Sequence, residues 1–457
     1  MSASALETLQ AEPRIGHILD DTTGNAIQAA VLAIREGKLV LSLPYIQREK
    51  QFKQTESWFN KRALPKSLLF VDPNGFVTLT GLHWLGHGMG QFSTGRVMVD
   101  IGIFGRPRRL KEAYNVRHFE SQIDGLRDFA GFRPIVYNED NVDGRWRIQA
   151  TIDAHEKHKW RHGGFTFEIR SSAPSLGSVD NFSASADAVI ATSRSKGASI
   201  DAHLTAQWPI RALLLLAFGE KLAWRGHKLR DDAFPTWMMS GPPLQASTVD
   251  VLYRRTMRDT ASSVSDRIWP IFSMQDLDTR KLMRWMRLYD DPIFRRAIEP
   301  TVEVLNGASN FLEPQLMMTV IGLDSMGHFR DPNRSGRVAL ETQIVRCMKP
   351  LRLDWSAFGH PRGIALAIAR ANNDLKHPDR NNRPSTEQLR LTADLAMIIM
   401  RLQAIDLLSL TTSVTNNFAR GNDYYHLSEA FREAGVRIDK HGEFVAHDRH
   451  SPRHSGE

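Results

Sequence analysis

Two periodicities divide this chain. In GKLVLSLP the apolar Leu39, Leu41 and Leu43 alternate with Lys38 and Ser42, and RVMVDIGIF places Val97, Val99, Ile101 and Ile103 at every second position. RWRIQATI sets Trp146, Ile148, Ala150 and Ile152 against Arg145, Arg147, Gln149 and Thr151. Successive side chains of a strand point to opposite faces, so a period of two predicts half-buried β-strands. Between SLLFV and FVTLT lies Asp72-Pro73-Asn74-Gly75, with proline where a type I turn accepts it and glycine at its end, which predicts a hairpin. Residues 14–200 are therefore expected to form a twisted antiparallel sheet or sandwich. Segment 171–200, rich in Ser, Ala and Gly, is the expected boundary or loop.

From about residue 204 the period becomes 3.6, predicting helices over 205–225, 245–270, 276–289, 312–327, 337–348, 362–376 and 386–412. The last opens with Pro384, Ser385 as N-cap and Gln388 three residues on, the pattern of a capping box. Beyond 435 the sequence turns polar, ending in DKHGEFVAHDRHSPRHSGE, and disorder is expected there. The predicted class is α+β: a β-rich N-terminal domain over 1–203, an all-α helical bundle over 204–434 and a disordered tail over 435–457.

A chain of 457 residues has room for two or three domains, and 42% hydrophobic with 24% charged residues allows a sizeable core. Lys and Arg number 59 against 51 Asp and Glu, a formal charge of +8 that permits an anionic partner such as RNA without requiring one. Cys347 is the only cysteine, so no intrachain disulfide can form, as suits a reducing compartment. No run approaches the roughly 20 apolar residues of a membrane helix. MSASALETLQAEP lacks the basic and apolar regions of a signal peptide. A cytoplasmic location without membrane contact is expected.

Candidate chemistry concentrates in RANNDLKHPDRNNRP, residues 370–384. If 362–376 is a helix that ends before Pro378, Ile364, Ala367, Ile368, Ala371 and Leu375 form one apolar stripe. Arg370 then lies about 120° from the stripe and His377 about 140°, with roughly 10 Å of rise between them. Asn373 falls between them on the same face, and Asp374 sits near its edge. A histidine can take the proton of a ribose 2′-OH or give one to the leaving 5′-oxygen. A guanidinium can hold the scissile phosphate through two N–H groups and neutralise charge in the transition state. Acid–base cleavage uses two such groups and one copy supplies one histidine. Two of these helices meeting across a two-fold axis would supply both, with Leu366 as apolar contact. Spacing alone leaves open that the face is simply solvated.

The alanine-rich helix leading into Arg370 and His377, the charged loop PDRNNRP and the apolar QLRLTADLAMIIMRLQAIDLLSL together resemble the C-terminal part of a HEPN domain. RNases of that helical family carry an arginine and a histidine in an R-x4–6-H motif. FLEPQLMMTVIGLDSMGHF resembles an earlier HEPN helix, with Asp324 as its acidic residue and His328 nearby. The core of such a domain would span about residues 290–420. With GHILDDTTGNAI, GKLVLSLP and HFESQIDGLRDFAG in the first half, the layout resembles ApeA-type anti-phage defence proteins, a β-rich domain before a HEPN RNase domain. The resemblance implies a metal-independent, cofactor-free endoribonuclease that cleaves host or phage RNA, tRNA among it, in abortive infection. It implies a homodimer formed through the HEPN helices and a phage-derived trigger. Arg370, His377 and Asn373 are the expected catalytic residues, and Asn372, Asp374, Lys376 and Arg380 the expected substrate-binding ones, with no metal ligand. One departure is Ala371, which follows the motif arginine where the family commonly has a polar residue. The alternative is a non-catalytic HEPN-type module for RNA binding or dimerisation.

Other clusters point elsewhere. DAHEKHKWRHGG brings His155, Glu156, His158 and His162 together, but its flanks alternate as strands and HEKH lacks the HExxH spacing. A solvated or anion-binding hairpin loop is expected there. Arg106, Arg108, Arg109 and Lys111 cluster after a strand, and Arg284, Trp285 and Arg287 interleave basic and aromatic residues; either could meet phosphates and stack a base. GLHWLGHGMG, with His83 and His87, lacks the Lys and Ser/Thr of a phosphate loop and is expected to be a loop after a strand.

Overall fold

A computed structural model describes residues 5–447, apart from 20–24, 89, 109–113, 154–155, 173–174, 178–181, 185–186, 237–247, 258–268, 332–337, 378, 380–382 and 411. The chain divides into two compact units, one of Met1–Arg127, Phe132–Gln207 and Leu222–Val264, the other of Asp128–Gly131, Trp208–Lys221 and Ser265–Glu457.

The first unit opens with helix α1 (Ala5–Ala11) and strands β1 (Arg14–Leu19), β2 (Ala26–Arg35) and β3 (Lys38–Ile46). Helix α2 (Lys53–Asn60) leads to β4 (Ser67–Asp72), β5 (Gly75–His87) and β6 (Phe92–Ile103). These strands pair antiparallel in the order β6-β3-β2-β1-β4-β5, and β5 pairs back onto β6, which closes a six-stranded barrel. The predicted alternation explains its interior: Leu39, Leu41, Leu43, Val97 and Val99 are buried together with Phe59, Phe70 and Leu79. Asp72 lies opposite Gly75 across the predicted hairpin turn, and the Asp72 carboxylate accepts from the Asn74 N–H at 2.8 Å. β5 continues through GLHWLGH as far as His87, so the loop expected there is strand.

Further along are β7 (Val116–Ile123), helix α3 (Leu126–Ala130), the hairpin β8 (Ile135–Val142) and β9 (Arg145–Ile152), then β10 (Lys157–His162) and β11 (Phe165–Ser172). A small hairpin of β12 (Ser175–Gly177) and β13 (Phe182–Ala184) precedes β14 (Asp187–Ala198). Helix α4 (Ile200–Phe218) is followed by β15 (Trp224–Arg230), β16 (Val249–Tyr253) and the short helix α5 (Arg254–Met257). Beyond β6 the sheet runs on through β16, β15, β7, β14, β11 and β10.

Two expectations change here. The small-residue segment taken as a boundary contains β14, an interior strand, because the apolar run Ala188-Val189-Ile190-Ala191 buries completely between β7 and β11. The helix expected over 245–270 is instead β16 at Val249–Tyr253, whose branched and aromatic residues suit its place between β15 and β6; residues 258–268 lie outside the described ones. The division expected at 203/204 therefore falls inside α4, and β15 and β16 belong to the first unit although they follow that helix.

The second unit is helical: α6 (Thr279–Asp290), α7 (Pro292–Leu305), α8 (Leu312–Arg330), α9 (Leu340–Met348), α10 (Pro361–Lys376), α11 (Thr386–Leu407), α12 (Thr412–Ala419) and α13 (Asn422–Glu433). Asp278 and Asp291 cap α6 and α7, accepting from Lys281 N and Ile293 N at 2.7 and 2.8 Å. The capping box of Ser385 and Gln388 starts α11, whose Leu391, Leu395, Ile399 and Met400 are buried. The α+β class is as predicted. The tail is not disordered from residue 435: β17 (Val436–Ile438) and β18 (Phe444–Ala446) form a hairpin. Its few apolar residues decide the matter, since Ile438 is buried and Phe444 stacks on Phe431 with ring centroids 6.4 Å apart. Glycine permits the contact with α10, because a Cβ at Gly363 would lie 1.7 Å from the Asp439 carbonyl oxygen. Residues 448–457 lie outside the described ones. Among the described residues no helix is long and apolar enough to cross a membrane.

Candidate active site

The predicted stripe of α10 is its core face: Ile364, Ala367, Ile368 and Ala371 are all buried. The helix starts at Pro361, whose missing N–H costs nothing in a first turn, and ends at Lys376, in keeping with a sequence in which the residue after His377 is a proline and α conformation before proline is disfavoured. His377 is the C-cap, with φ −119° and ψ 87°, and its N–H donates to the Asn373 carbonyl at 3.1 Å. Arg370, Asn373, Lys376 and His377 are exposed. One turn of helix separates Arg370 from Asn373, and another separates Asn373 from His377, so the three share a solvent-facing side.

Asn372 does not belong with them. It follows Ala365 and Ala369 at helical spacing on the buried side, is 1% exposed, and neither atom of its side-chain amide has a hydrogen-bond partner among the described residues. It cannot reach a substrate on the exposed face as expected. Asp374 is half-buried, and Arg380 lies outside the described residues.

Beside the exposed face an open groove of about 720 Å³ lies between α10, the start of α11 and the β17–β18 hairpin. Arg370, Asp374, Arg383, Gln388 and Glu443 line it. Arg370 forms an ion pair with Glu443, and about half of its side chain stays exposed. Leu366, expected to meet a second copy, is half-buried instead: the hairpin turn of its own chain covers it, with the Gly442 backbone so close that a Cβ there would lie 2.8 Å from Leu366 Cβ. Sequence reading missed Glu443 because the polar composition around it masked a hairpin anchored by just Ile438 and Phe444.

The remaining candidates separate. Asp324 and His328 are exposed on α8, and His328 Nδ1 lies 3.3 Å from the Gln343 amide nitrogen; among the described residues no hydrogen bond joins them to Arg370 or His377. His158 and His162 stand on β10, a strand rather than the expected loop, and His155 is outside the described residues. His158 stacks on Phe132 at 5.5 Å, and burial lowers its pKa. Among the described residues no group of three His, Cys, Asp or Glu side chains is placed to hold a metal ion. Trp285 is fully buried and donates from Nε1 to the Pro209 carbonyl at 2.7 Å, so it is not available to stack a base. Arg106 lies over the Phe76 ring at 5.0 Å, while Arg109 and Lys111 are outside the described residues. His83 Nε2 lies 2.7 Å from an Asp100 carboxylate oxygen.

The structure thus defines an α+β protein with a barrel-based β unit and a helical unit that exposes arginine and histidine on one helix face. Residues 19–231 match the family model for ApeA N-terminal domain 1, from the last residue of β1 to just beyond β15. This match supports an ApeA-like anti-phage defence protein. No curated protein and no solved structure matches the chain.

Proposed function

We propose that the chain is an ApeA-like defence effector whose helical unit is a HEPN-type, metal-independent endoribonuclease acting on host or phage RNA, with tRNA as one candidate. The observation that carries this reading is the exposed face of α10, on which Arg370, Asn373 and His377 stand together beside an open groove. In this mechanism Arg370 holds the scissile phosphate. A histidine takes the 2′-OH proton as the 2′-oxygen bonds to phosphorus, and a second protonates the departing 5′-oxygen, leaving a 2′,3′-cyclic phosphate and a 5′-hydroxyl. The second His377 comes from another copy of the chain, paired across a two-fold axis. Buried Ala371 offers nothing to the site, so the polar role of that position passes to Asn373.

The test is incubation of the full chain with tRNA and total RNA in EDTA, beside Arg370→Ala and His377→Ala. Cleavage leaving cyclic phosphate ends is expected, with each variant slowed by about 10²–10⁴-fold. A wild type that cleaves nothing even in phage-infected cells, or variants that keep full activity, would overturn the reading. The Arg370–Glu443 ion pair favours one alternative, a non-catalytic module that grips RNA or a partner. RNA bound by the wild type and left intact under both conditions would identify it.

A further inference from the structure

Gln388 and Thr392, near the start of α11, line the groove beside Arg370; Leu402 and Asp406, fourteen residues further on, line a second open groove of about 680 Å³. Fourteen residues bring a helix back to within about 40° of the same side after ~21 Å of rise. The charged residues of the second groove are Arg330, Arg346, Lys349 and Arg352 against Asp331 and Asp406, four cations to two carboxylates.

The four cations fall into two pairs. Arg330 donates to Gln403 Oε1 and to Asp406 Oδ2, each at 2.7 Å. Arg346 donates to Gln343 Oε1 at 2.8 Å and lies 3.0 Å from Asp331 Oδ2. Both guanidiniums are largely buried, held in place and neutralised. The side chains of Lys349 and Arg352 are exposed and make no hydrogen bond or ion pair among the described residues. Lys349 opens one 3-10 turn, Lys349–Leu351, which Arg352 closes with a left-handed φ of 50°. Two uncompensated cations of one turn thus line the same groove as a pair of anchored ones. The groove is open rather than enclosed, which suits a stretch of polyanion lying across it better than a single engulfed phosphate group.

We infer that this groove binds the phosphate backbone of single-stranded RNA, several nucleotides from the bond presented to Arg370. The choice of RNA as the polyanion rests on the nuclease reading; the groove's charge does not. The probe is a fluorescein-labelled 15-mer of 2′-O-methyl RNA, which has no 2′-OH to attack, titrated with the full chain in EDTA over a range of salt. Lys349→Ala/Arg352→Ala should flatten the slope of log affinity against log salt by about 1.4, two phosphates at ~0.7 each on a single strand. At 0.1 M salt that corresponds to a loss of about 25-fold. Both side chains are exposed, so the melting temperature should not move. The control Arg295→Ala/Arg296→Ala removes two exposed cations of α7 and should change affinity less than threefold.

An equal loss in that control would assign the effect to general surface charge and sink the proposal, as would wild-type affinity and slope in the groove variant. If the double variant fails to fold, Lys349→Gln and Arg352→Gln are measured singly, each expected to remove half the slope change. The two readings fail separately. A chain that binds the 15-mer through the groove but never cleaves unmodified RNA loses the nuclease and keeps the groove. A groove variant that binds and cleaves like wild type loses the groove and keeps the nuclease.

Discussion

Arg401 and Arg370 stand on neighbouring helices of the second unit and are used in opposite ways. The Arg401 side chain is 7% exposed and donates from three nitrogens: Nε to the Leu216 carbonyl at 2.9 Å, and the two terminal nitrogens to the Ala217 carbonyl at 3.2 Å and to Asp423 at 2.7 Å. Leu216 and Ala217 lie in the last turn of α4, where carbonyls lack a helical donor, so this arginine completes a helix end while holding α13. Arg370 is 49% exposed and meets, among the described residues, one acceptor that is itself 65% exposed. A guanidinium consumed by carbonyls builds the fold. One held only by an exposed carboxylate can exchange that partner for a phosphate, because water screens such a pair to little net strength.

The largest effects test this contrast directly. Arg401→Ala leaves Asp423 without its cation and the Leu216 carbonyl without this donor, while the Ala217 carbonyl keeps the Ile271 N–H at 2.9 Å; it should cost about 3–5 kcal/mol of stability, read as a lower midpoint in urea or heat. Arg401→Lys should recover little of it, since an ammonium cannot reproduce the planar fork. Arg370→Ala should shift stability by less than ~0.5 kcal/mol. Its loss should appear in RNA cleavage instead, as stated above. Equal destabilisation by both alanine variants would erase the distinction.

A second contrast lies between the exposed His377 and two buried histidines of the first unit. His203 Nδ1 is 2.8 Å from Thr192 Oγ1 and its Nε2 is 2.9 Å from the Val116 carbonyl. His227 sits between the Ser121 and Thr256 hydroxyls at 2.8 Å each. Burial pushes these imidazoles down to about 4 and about 3. Both are neutral in the folded unit, whereas unfolded histidine takes a proton below about pH 6.5. Their contribution is therefore complete above that pH and falls as the solution is acidified toward about 4. At full slope the loss approaches ~1.4 kcal/mol per pH unit for each histidine. Urea midpoints of the first unit measured from pH 7 to 5 should fall accordingly, and His203→Gln should reduce the slope; a flat profile would mean that these imidazoles take up protons in the folded unit as readily as in the unfolded chain.

Much of the architecture is legible in the residues. The period of two marks β3, β6 and β9, the Asp72-Pro73-Asn74-Gly75 turn marks a hairpin, and Ser385 with Gln388 marks the start of α11. The exposed trio Arg370, Asn373 and His377 follows from helical geometry alone. What stayed hidden depends on partners distant in sequence. VDVLY becomes strand through its neighbours β15 and β6, Trp285 is withdrawn by the Pro209 carbonyl, and the hairpin near 440 exists because Phe431 and Gly363 receive it. Asn372 is the sharpest case, since its residue type suggests a surface and its position dictates burial. A buried amide without partners costs about 1–3 kcal/mol, so Asn372→Leu should raise the unfolding free energy by roughly 1 kcal/mol after some loss to imperfect packing. A fall of several kcal/mol would show that the amide is satisfied by residues beyond the described ones.

The smallest expected effect is also the one that bears most closely on the α10 face. Exposed ion pairs contribute about 0.2–1 kcal/mol, so Glu443→Gln should leave the melting temperature nearly unchanged. The same free energy must be given up whenever a phosphate displaces Glu443 from Arg370, and 1 kcal/mol corresponds to a factor of about five in an equilibrium constant. RNA affinity or cleavage by Glu443→Gln should therefore rise by up to about fivefold at low salt. The gain should vanish near 1 M salt, where a Debye length of ~3 Å screens the carboxylate in the wild type as well. A variant that folds normally but cleaves less would give Glu443 the opposite part, that of orienting Arg370 for its substrate rather than competing for it.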